Sequence, residues 1–447
     1  MNNGLVRKLG WISVSAIIIA DMVGTGVFTT SGLVMGNVGS PLILILLWAI
    51  AGVIALSGAL CYAELSTAMP YAGGEYLYLT KLFHPSLGFL SGWISFIVGF
   101  SAPLAAVAIG MSEYMIEAFP DLIIDQKILG FSGALFLKKG IAVLTILVFT
   151  LIHLQGVKSG SKIHNILTVL KILLILGIIS TAFLVGKGNF SHLKFSGTYD
   201  FDLQGIKDAG LSVMWIMFAY SGWNAAAYIG SEVRKPGKNL PRALFAGTGI
   251  VILLYILLNL VFVYALTPGE MKGVVSIGGL AVKQLFGTVY GRVFSLVIVI
   301  ILFSTISSLV ILGPRVYYAM AQKGHFFKFA SKVNEKGAPS YSIIIQGTIA
   351  AFIVLIGAFD QILTYMGLSL SVFPMIAAFG VFKLRKQRRT VYRAPLHPFI
   401  PGFFILASFL IVALGFAERP AESLFAVGTI VMGIPLYLFF RKHIDLN

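Results

Sequence analysis

Long apolar runs separated by short polar loops fill this chain from Trp11 to Phe440. A helix needs about 17–25 mostly apolar residues to cross a bilayer. Twelve segments meet that length: 11–36, 41–69, 87–116, 139–156, 163–186, 205–231, 240–265, 289–320, 341–357, 360–382, 398–416 and 421–440. The ninth and tenth are the hardest to separate, with only Gly357 to Asp360 between them. The first run is interrupted near its middle by Asp21 and then Met22-Val23-Gly24-Thr25-Gly26-Val27-Phe28. Glycine costs a helix interior about 1 kcal/mol relative to alanine. Irregular backbone at that depth survives in hydrocarbon only where it lines a cavity or is buried in protein. The sixth run carries a second polar interruption, Phe218-Ala219-Tyr220-Ser221-Gly222-Trp223-Asn224.

Composition agrees with the pattern. Of 447 residues, 58% are hydrophobic and 11% charged, against about a quarter charged in a soluble domain. Mean hydropathy is +0.92. The expected class is therefore an all-α integral membrane protein. A net charge of +16 would suggest nucleic-acid binding in a soluble chain, but here the basic residues lie in short loops between apolar spans. Of 33 lysines and arginines, 22 fall in one set of loops and 10 in the other, with Lys171 inside a span. That excess places both termini in the cytoplasm and the chain in the cytoplasmic membrane. No signal-peptide cleavage pattern precedes the first span, which is expected to remain as an anchor. The single cysteine, Cys61, excludes an internal disulfide.

A weak internal repeat is visible. Span 1 breaks at Gly24–Gly26 and span 2 opens after Gly39-Ser40-Pro41; span 6 breaks at Phe218–Asn224 and span 7 opens after Asn239-Leu240-Pro241. Interrupted helices at matching positions of two five-span halves are what an inverted repeat produces, and they point to the substrate site of a transporter. One transmembrane domain over 1–447 is expected, with repeats over about 11–186 and 205–382 and two extra helices over 398–440. The restart around Gly24 to Val27 should present unpaired N–H groups suited to a carboxylate. The end of the first half-helix, around Ile19 to Met22, and the stretch Phe218 to Tyr220 should present carbonyls suited to an ammonium. Together they fit the α-amino acid zwitterion. The competing reading is that these glycines only let helices cross closely.

Gly24-Thr25-Gly26-Val27-Phe28 resembles the first-span signature of the amino acid–polyamine–organocation superfamily. Cys61-Tyr62-Ala63-Glu64-Leu65 and Pro70-Tyr71-Ala72-Gly73-Gly74-Glu75-Tyr76 resemble its second span and following loop. The span 6 interruption, with Glu232 and Asn239-Leu240-Pro241-Arg242-Ala243, resembles the L-type amino acid transporter branch, and Arg315-Val316-Tyr317-Tyr318-Ala319-Met320 with Lys323-Gly324-His325 resembles the end of its eighth span. The resemblance implies twelve spans, a five-plus-five inverted repeat and alternating access. It also implies that Thr25 and the Gly24–Gly26 backbone hold the substrate carboxylate and that Phe218 is an aromatic gate. Trp223 and Asn224 would shape the unwound part of span 6. Loop 3–4 lacks the cysteine that joins animal L-type transporters to a heavy chain, so no heavy-chain partner is implied.

Lys171, in Thr168-Val169-Leu170-Lys171-Ile172-Leu173, is a charge inside span 5. Such residues are functional by default; the alternative is that it snorkels to the headgroups. By resemblance its ammonium replaces the sodium ion of related transporters, bridging span 1 to span 8, where Ser304, Ser307 and Ser308 are candidate partners. Asp21 departs from the L-type pattern, in which a small or amide residue is usual. It could neutralise Lys171, carry a proton or recognise a cationic substrate group. Glu64 and Glu232 read as structural, and His153 is the one histidine well inside a span. Ser101, Ala105 and Ser369 are further candidates for the pocket wall.

The candidate substrate-binding set is thus Asp21, Val23, Gly24, Thr25, Gly26 and Val27 with Phe218, Ala219, Ser221, Trp223 and Asn224. The candidate coupling set is Lys171, Ser304, Ser307 and Ser308. These imply a sodium-independent amino acid permease, either exchanger or proton symporter. A polyamine or cationic amino acid antiporter, motivated by Asp21, and a non-transporting amino acid sensor are the alternatives. No nucleophile–base pair and no metal-ligand spacing appears, so an enzyme, a metal and a cofactor are not expected. The absence of a filter-like repeat disfavours a channel.

Overall fold

The computed structural model describes residues 7, 9–71, 73–122, 127–128, 131–155, 160–193, 199–322, 324–335, 338–388 and 390–440, without the side chains of 127, 128, 131, 160–168, 193, 315 and 319. Several residues behind the orientation argument, among them Lys8, Lys158, Lys323, Arg441 and Lys442, lie outside this set, as does Ala72 of the loop motif.

The fold is helical. In order come α1 (Trp11–Met22), α2 (Gly26–Val38), α3 (Pro41–Ala68), α4 (Gly74–Leu82), α5 (Pro85–Ile94), α6 (Ala102–Ala118), α7 (Gly133–Leu154), α8 (Gly160–Val185) and α9 (Leu203–Ala219). They are followed by α10 (Ala225–Tyr228), α11 (Pro236–Ala265), α12 (Pro268–Met271), α13 (Ile277–Phe286), α14 (Thr288–Gln322), α15 (Ser340–Ile356), α16 (Phe359–Lys386), α17 (Phe399–Glu418) and α18 (Pro420–Phe440). A two-residue hairpin, β1 (Lys127–Ile128) and β2 (Phe131–Ser132), is the one sheet among the described residues. Among the described residues eight helical spans are long and apolar enough to cross a membrane, Pro85–Ala118 counting as one, or nine if α1 and α2, bent by 46° at their break, form one span. This is a multi-pass membrane protein.

Local chemistry explains most boundaries. Gly39, at φ +59°, ends α2 in the left-handed conformation that glycine adopts without penalty, and Pro41 then opens α3 at the position where its missing N–H costs nothing. Asp202 caps α9 by accepting from the Gly205 N–H at 2.8 Å. The third span is not one regular helix: residues Ser95–Ser101 form a π-helical segment between α5 and α6, with the Ser101 hydroxyl donating to the Phe96 carbonyl at 3.0 Å. Pro103, which lacks an N–H, follows directly and is the sequence cue for that distortion. The seventh span begins earlier than expected. Pro236 takes the first position of α11, and Pro241 sits inside the helix rather than opening it.

Two groups of helices make the core. α3 and α11 pack together, with α1 against α11 and α9 against α3. α6, α7, α14 and α15 pack among themselves. α16 touches both groups through α3, α9 and α6, and α8 reaches α11 and α14. Outward leucines and phenylalanines such as Leu144, Leu151, Leu424 and Phe425 are exposed and form the lipid face.

One buried ion pair ties the first group to α16. The Glu64 carboxylate is fully buried on α3 and receives Nε and Nη2 of Arg385, each at 2.7 Å. The Ala394 N–H donates to the same carboxylate at 2.8 Å, and Arg385 Nη2 donates to the Ala394 carbonyl at 2.9 Å. Glu64 therefore pairs with an arginine, as its sequence position suggested. Removing one partner of such a pair costs about 3–5 kcal/mol, whereas replacing both is often neutral. Arg385→Met should lower the apparent Tm of the detergent-solubilised protein by several degrees. Adding Glu64→Gln should restore most of the loss; a single variant melting like wild type would remove this pair from the stability argument.

Candidate functional site

α1 stops at Met22. The Val23 N–H still donates to the Ile19 carbonyl at 2.9 Å, and the Gly24 N–H turns back to the Met22 carbonyl at 2.8 Å. α2 restarts at Gly26, and no backbone carbonyl among the described residues accepts from the N–H groups of Thr25, Gly26 and Val27. These donors sit at the N-terminus of a 13-residue helix, where the dipole favours an anion. Thr25 Oγ1 is buried with no hydrogen-bond partner among the described residues.

The two glycines of the break do different things. A Cβ on Gly26 would stand 2.3 Å from the Ala219 Cα, so this glycine is what lets α2 lie directly on the end of α9. A Cβ on Gly24 would meet nothing within 4 Å. The packing reading thus describes Gly26, while Gly24 leaves its backbone open toward a cavity.

The second break follows Ala219. The Ser221 N–H donates to the Phe218 carbonyl at 3.0 Å, Gly222 turns the chain at φ +100°, and the Ala225 N–H donates to the Gly222 carbonyl at 3.0 Å. A buried hydroxyl joins the two breaks. Tyr255 on α11 lies 2.6 Å from the Met22 carbonyl oxygen and 3.1 Å from the Ala219 carbonyl oxygen. Edge and tilted ring contacts with Trp48 and Tyr220 hold that phenol in place. Asn224 reaches the other way and donates from Nδ2 to Glu75 Oε1 on α4 at 2.8 Å.

Both breaks open on one cavity of about 2500 Å³. A small-molecule pocket measures roughly 300–1,000 Å³, so this space is a binding site with a vestibule. Asp21, Gly24, Thr25 and Gly26 line it with Phe218, Ala219, Ser221, Trp223 and Asn224. Val23 and Val27 are buried off its wall, as are Ser101, Ala105 and Ser369. The third-span wall is made instead by Gly99, Phe100, Pro103 and Val107 of the π-distorted region, and the tenth-span wall by Met366, Gly367, Leu370 and Pro374. Trp223 touches the cavity but is mostly engaged in edge contacts with Tyr62 and Phe404. The cavity runs from the breaks past Ser13 and Tyr76 to Gln155, Glu232 and Met320. Glu232 therefore lies at the vestibule end of the cavity wall as well as in the backbone pairing with Leu9.

The opposite end is closed. The Gly273 N–H donates to the Gly32 carbonyl at 2.8 Å, and a Cβ on Gly32 would lie 2.0 Å from the Val274 carbonyl oxygen. The Tyr114 hydroxyl donates to the Phe28 carbonyl at 2.6 Å and accepts from the Gly278 N–H at 3.1 Å.

Lys171 does not reach outward. It is 3% exposed, between the exposed Leu170 and Leu173, and its ammonium donates to Thr305 Oγ1 on α14 at 2.9 Å. Ser304, Ser307 and Ser308 line the same wall, and Ser307 Oγ lies 3.0 Å from His153 Nε2. Thr305 was missed because helical phase on an apolar span does not separate neighbouring hydroxyls. Tyr255 was legible in principle: a phenol in Val251-Ile252-Leu253-Leu254-Tyr255, with Asn259 one turn on, needs a partner in hydrocarbon. Among the described residues no cluster of three His, Cys, Asp or Glu could hold a metal ion.

Two broken helices meeting on a cavity that is closed at one end define a membrane transporter rather than an enzyme. The sequence profile described as amino acid permease matches residues 9–438, and the chain belongs to that family. It is 28% identical to the serine/threonine exchanger SteT of Bacillus subtilis, over 99% of this chain and 98% of that protein. It is 30% identical to the b(0,+)-type amino acid transporter 1 of Mus musculus, over 98% of this chain and 88% of that one. To the large neutral amino acids transporter small subunit 2 of Rattus norvegicus it is 26% identical, over 97% of this chain and 80% of the relative.

Gly26→Ala should cost about 1–3 kcal/mol through overpacking and lower the apparent Tm, while Gly24→Ala should leave it unchanged. Equal melting of the two variants would contradict the division of roles. Tyr255→Phe should leave the fold intact and lower the transport rate at least tenfold; wild-type turnover would show that the hydroxyl bridge is dispensable.

Proposed function

We propose that this chain is a sodium-independent amino acid exchanger that works by alternating access. It sits in the cytoplasmic membrane with both termini inside, as one transporter domain of twelve spans. Two inverted repeats cover about 11–186 and 205–382, and two extra helices cover 398–440. The pairings support the repeat: α3 lies on α11, α6 on α14 and α7 on α15, and the contact of α8 with α14 is answered by that of α16 with α6. The substrate carboxylate faces the Thr25–Val27 N–H groups and the Thr25 hydroxyl, and Phe218 stands over it. The vestibule past Tyr76 and Met320 then opens to the cytoplasm.

The observation that carries this reading is the convergence of both helix breaks on a cavity closed on one side. Exchange is favoured by Lys171: its ammonium is buried and anchored to a hydroxyl of α14, which fits the role of sodium substitute that the family resemblance implies. The named activity of the Bacillus subtilis relative agrees with this. No heavy-chain partner is required by the reading.

Purified protein in proteoliposomes, given a labelled amino acid panel, should accumulate label only when unlabelled amino acid is inside, without dependence on sodium. Uptake into empty vesicles driven by an inward proton gradient would replace exchange with proton symport. Transport of no amino acid would overturn the reading. Lys171→Ala should abolish counterflow while leaving the protein monodisperse.

A further inference from the structure

Among the described residues the carboxylate at the end of α1 has no hydrogen-bond donor and no close ion pair; the Lys171 charge acts on it only from a longer range. Asp21 is exposed to the cavity, and among the described residues no donor hydrogen-bonds its carboxylate. Among those residues no lysine, arginine or histidine nitrogen lies within 4.0 Å of it either. Lys171, a buried cation whose charge reaches Asp21, gives its hydrogen bond to Thr305. Sequence reasoning left neutralisation of Lys171 open as a role for Asp21; the two charges act on each other without an ion-pair contact within 4.0 Å.

That arrangement is costly by itself. A carboxylate at a helix C-terminus opposes the dipole, and a charge away from bulk water needs a counter-charge. The second break makes room for it nonetheless. Gly222 is the residue facing Asp21, and a Cβ there would stand 2.9 Å from Asp21 Oδ2 and 2.9 Å from the Asp21 carbonyl carbon. The carboxylate is thus seated between the two unwound segments, four residues before Thr25. The free N–H groups of Thr25 to Val27 lie on the far side of the same break.

We infer that Asp21 is the cation-binding half of the substrate site and receives a primary ammonium group of the substrate. This rests on the transport reading and deepens it. The site then offers N–H donors for a carboxylate and a formal negative charge for an ammonium, where the family pattern offers carbonyl oxygens alone. Two sources can supply the ammonium: the α-amino group of any amino acid, or the side chain of a basic amino acid or diamine.

The test is competition against bound L-serine on the full-length purified protein, as wild type and as Asp21→Asn. Competitors are L-lysine, cadaverine and L-glycerate, the last being serine with its ammonium replaced by hydroxyl. Expected results are at least tenfold weaker L-serine binding in Asp21→Asn, and wild-type binding of L-glycerate at least tenfold weaker than of L-serine. Equal losses for serine and lysine assign the α-ammonium. A loss confined to lysine and cadaverine assigns the side chain. Affinities within twofold of wild type for all ligands overturn the inference, and so does a requirement for sodium that Asp21→Asn abolishes. Should Asp21→Asn fail to fold, the wild-type comparisons decide: equal binding of L-serine and L-glycerate together with equal binding of L-lysine and its uncharged analogue L-norleucine overturns it. Wild-type protein that binds L-lysine but not L-serine is tested with lysine as the probe. If it binds no proteinogenic amino acid, the transport reading itself has failed.

Discussion

A backbone that leaves the helix inside a membrane must find partners for its polar groups, and everything near this site follows from how that is done. The carbonyls of Met22 and Ala219 end two different half-helices, and one phenol, Tyr255, reaches both. Because the hydroxyl has a single proton, it bridges the two acceptors rather than satisfying each in full. The ends of α1 and α9 are therefore held to each other through a third helix, and a shift of either is felt by the other. Trp48 and Tyr220 pack around the ring so that the hydroxyl cannot swing away.

The charges obey the same constraint from the other direction. Lys171 is buried in the wall and anchored to a hydroxyl of α14. Asp21 faces the cavity, and among the described residues no cation stands within ion-pair distance of it. The two opposite charges thus act on each other without an ion-pair contact, one hydrogen-bonded into the helix packing and the other facing the cavity. Glu64 and Arg385 show the contrasting solution, in which every lone pair and proton near a buried charge is used up internally.

Much of this was readable from the chain. Both interruptions stood out because glycine and polar residues are costly in the middle of an apolar run. Lys171 stood out for the same reason. What the sequence could not supply was direction. Val23 and Val27 were placed at the site by proximity to Gly24 and Gly26, yet a helix restart turns each residue by about 100°, and both face the core. Thr305 was hidden among Ser304, Ser307 and Ser308, because only the packing of α8 on α14 decides which hydroxyl meets the lysine. The start of α11 was misjudged by a few residues because two prolines, Pro236 and Pro241, compete as openers.

The closed end of the molecule has a property that side-chain chemistry would not give it. Where α2 meets the segment before α13, the contact at Gly32 is main chain against main chain, with the Val274 oxygen filling the space of an absent carbon. A seal of that kind has no rotamers to reset and no side-chain entropy to lose on each closure. Parting and re-forming it once per cycle costs mainly the hydrogen bond from Gly273, which water can replace as it enters. At this point of the closed end, unlike at Tyr114, opening leaves no side chain to rearrange.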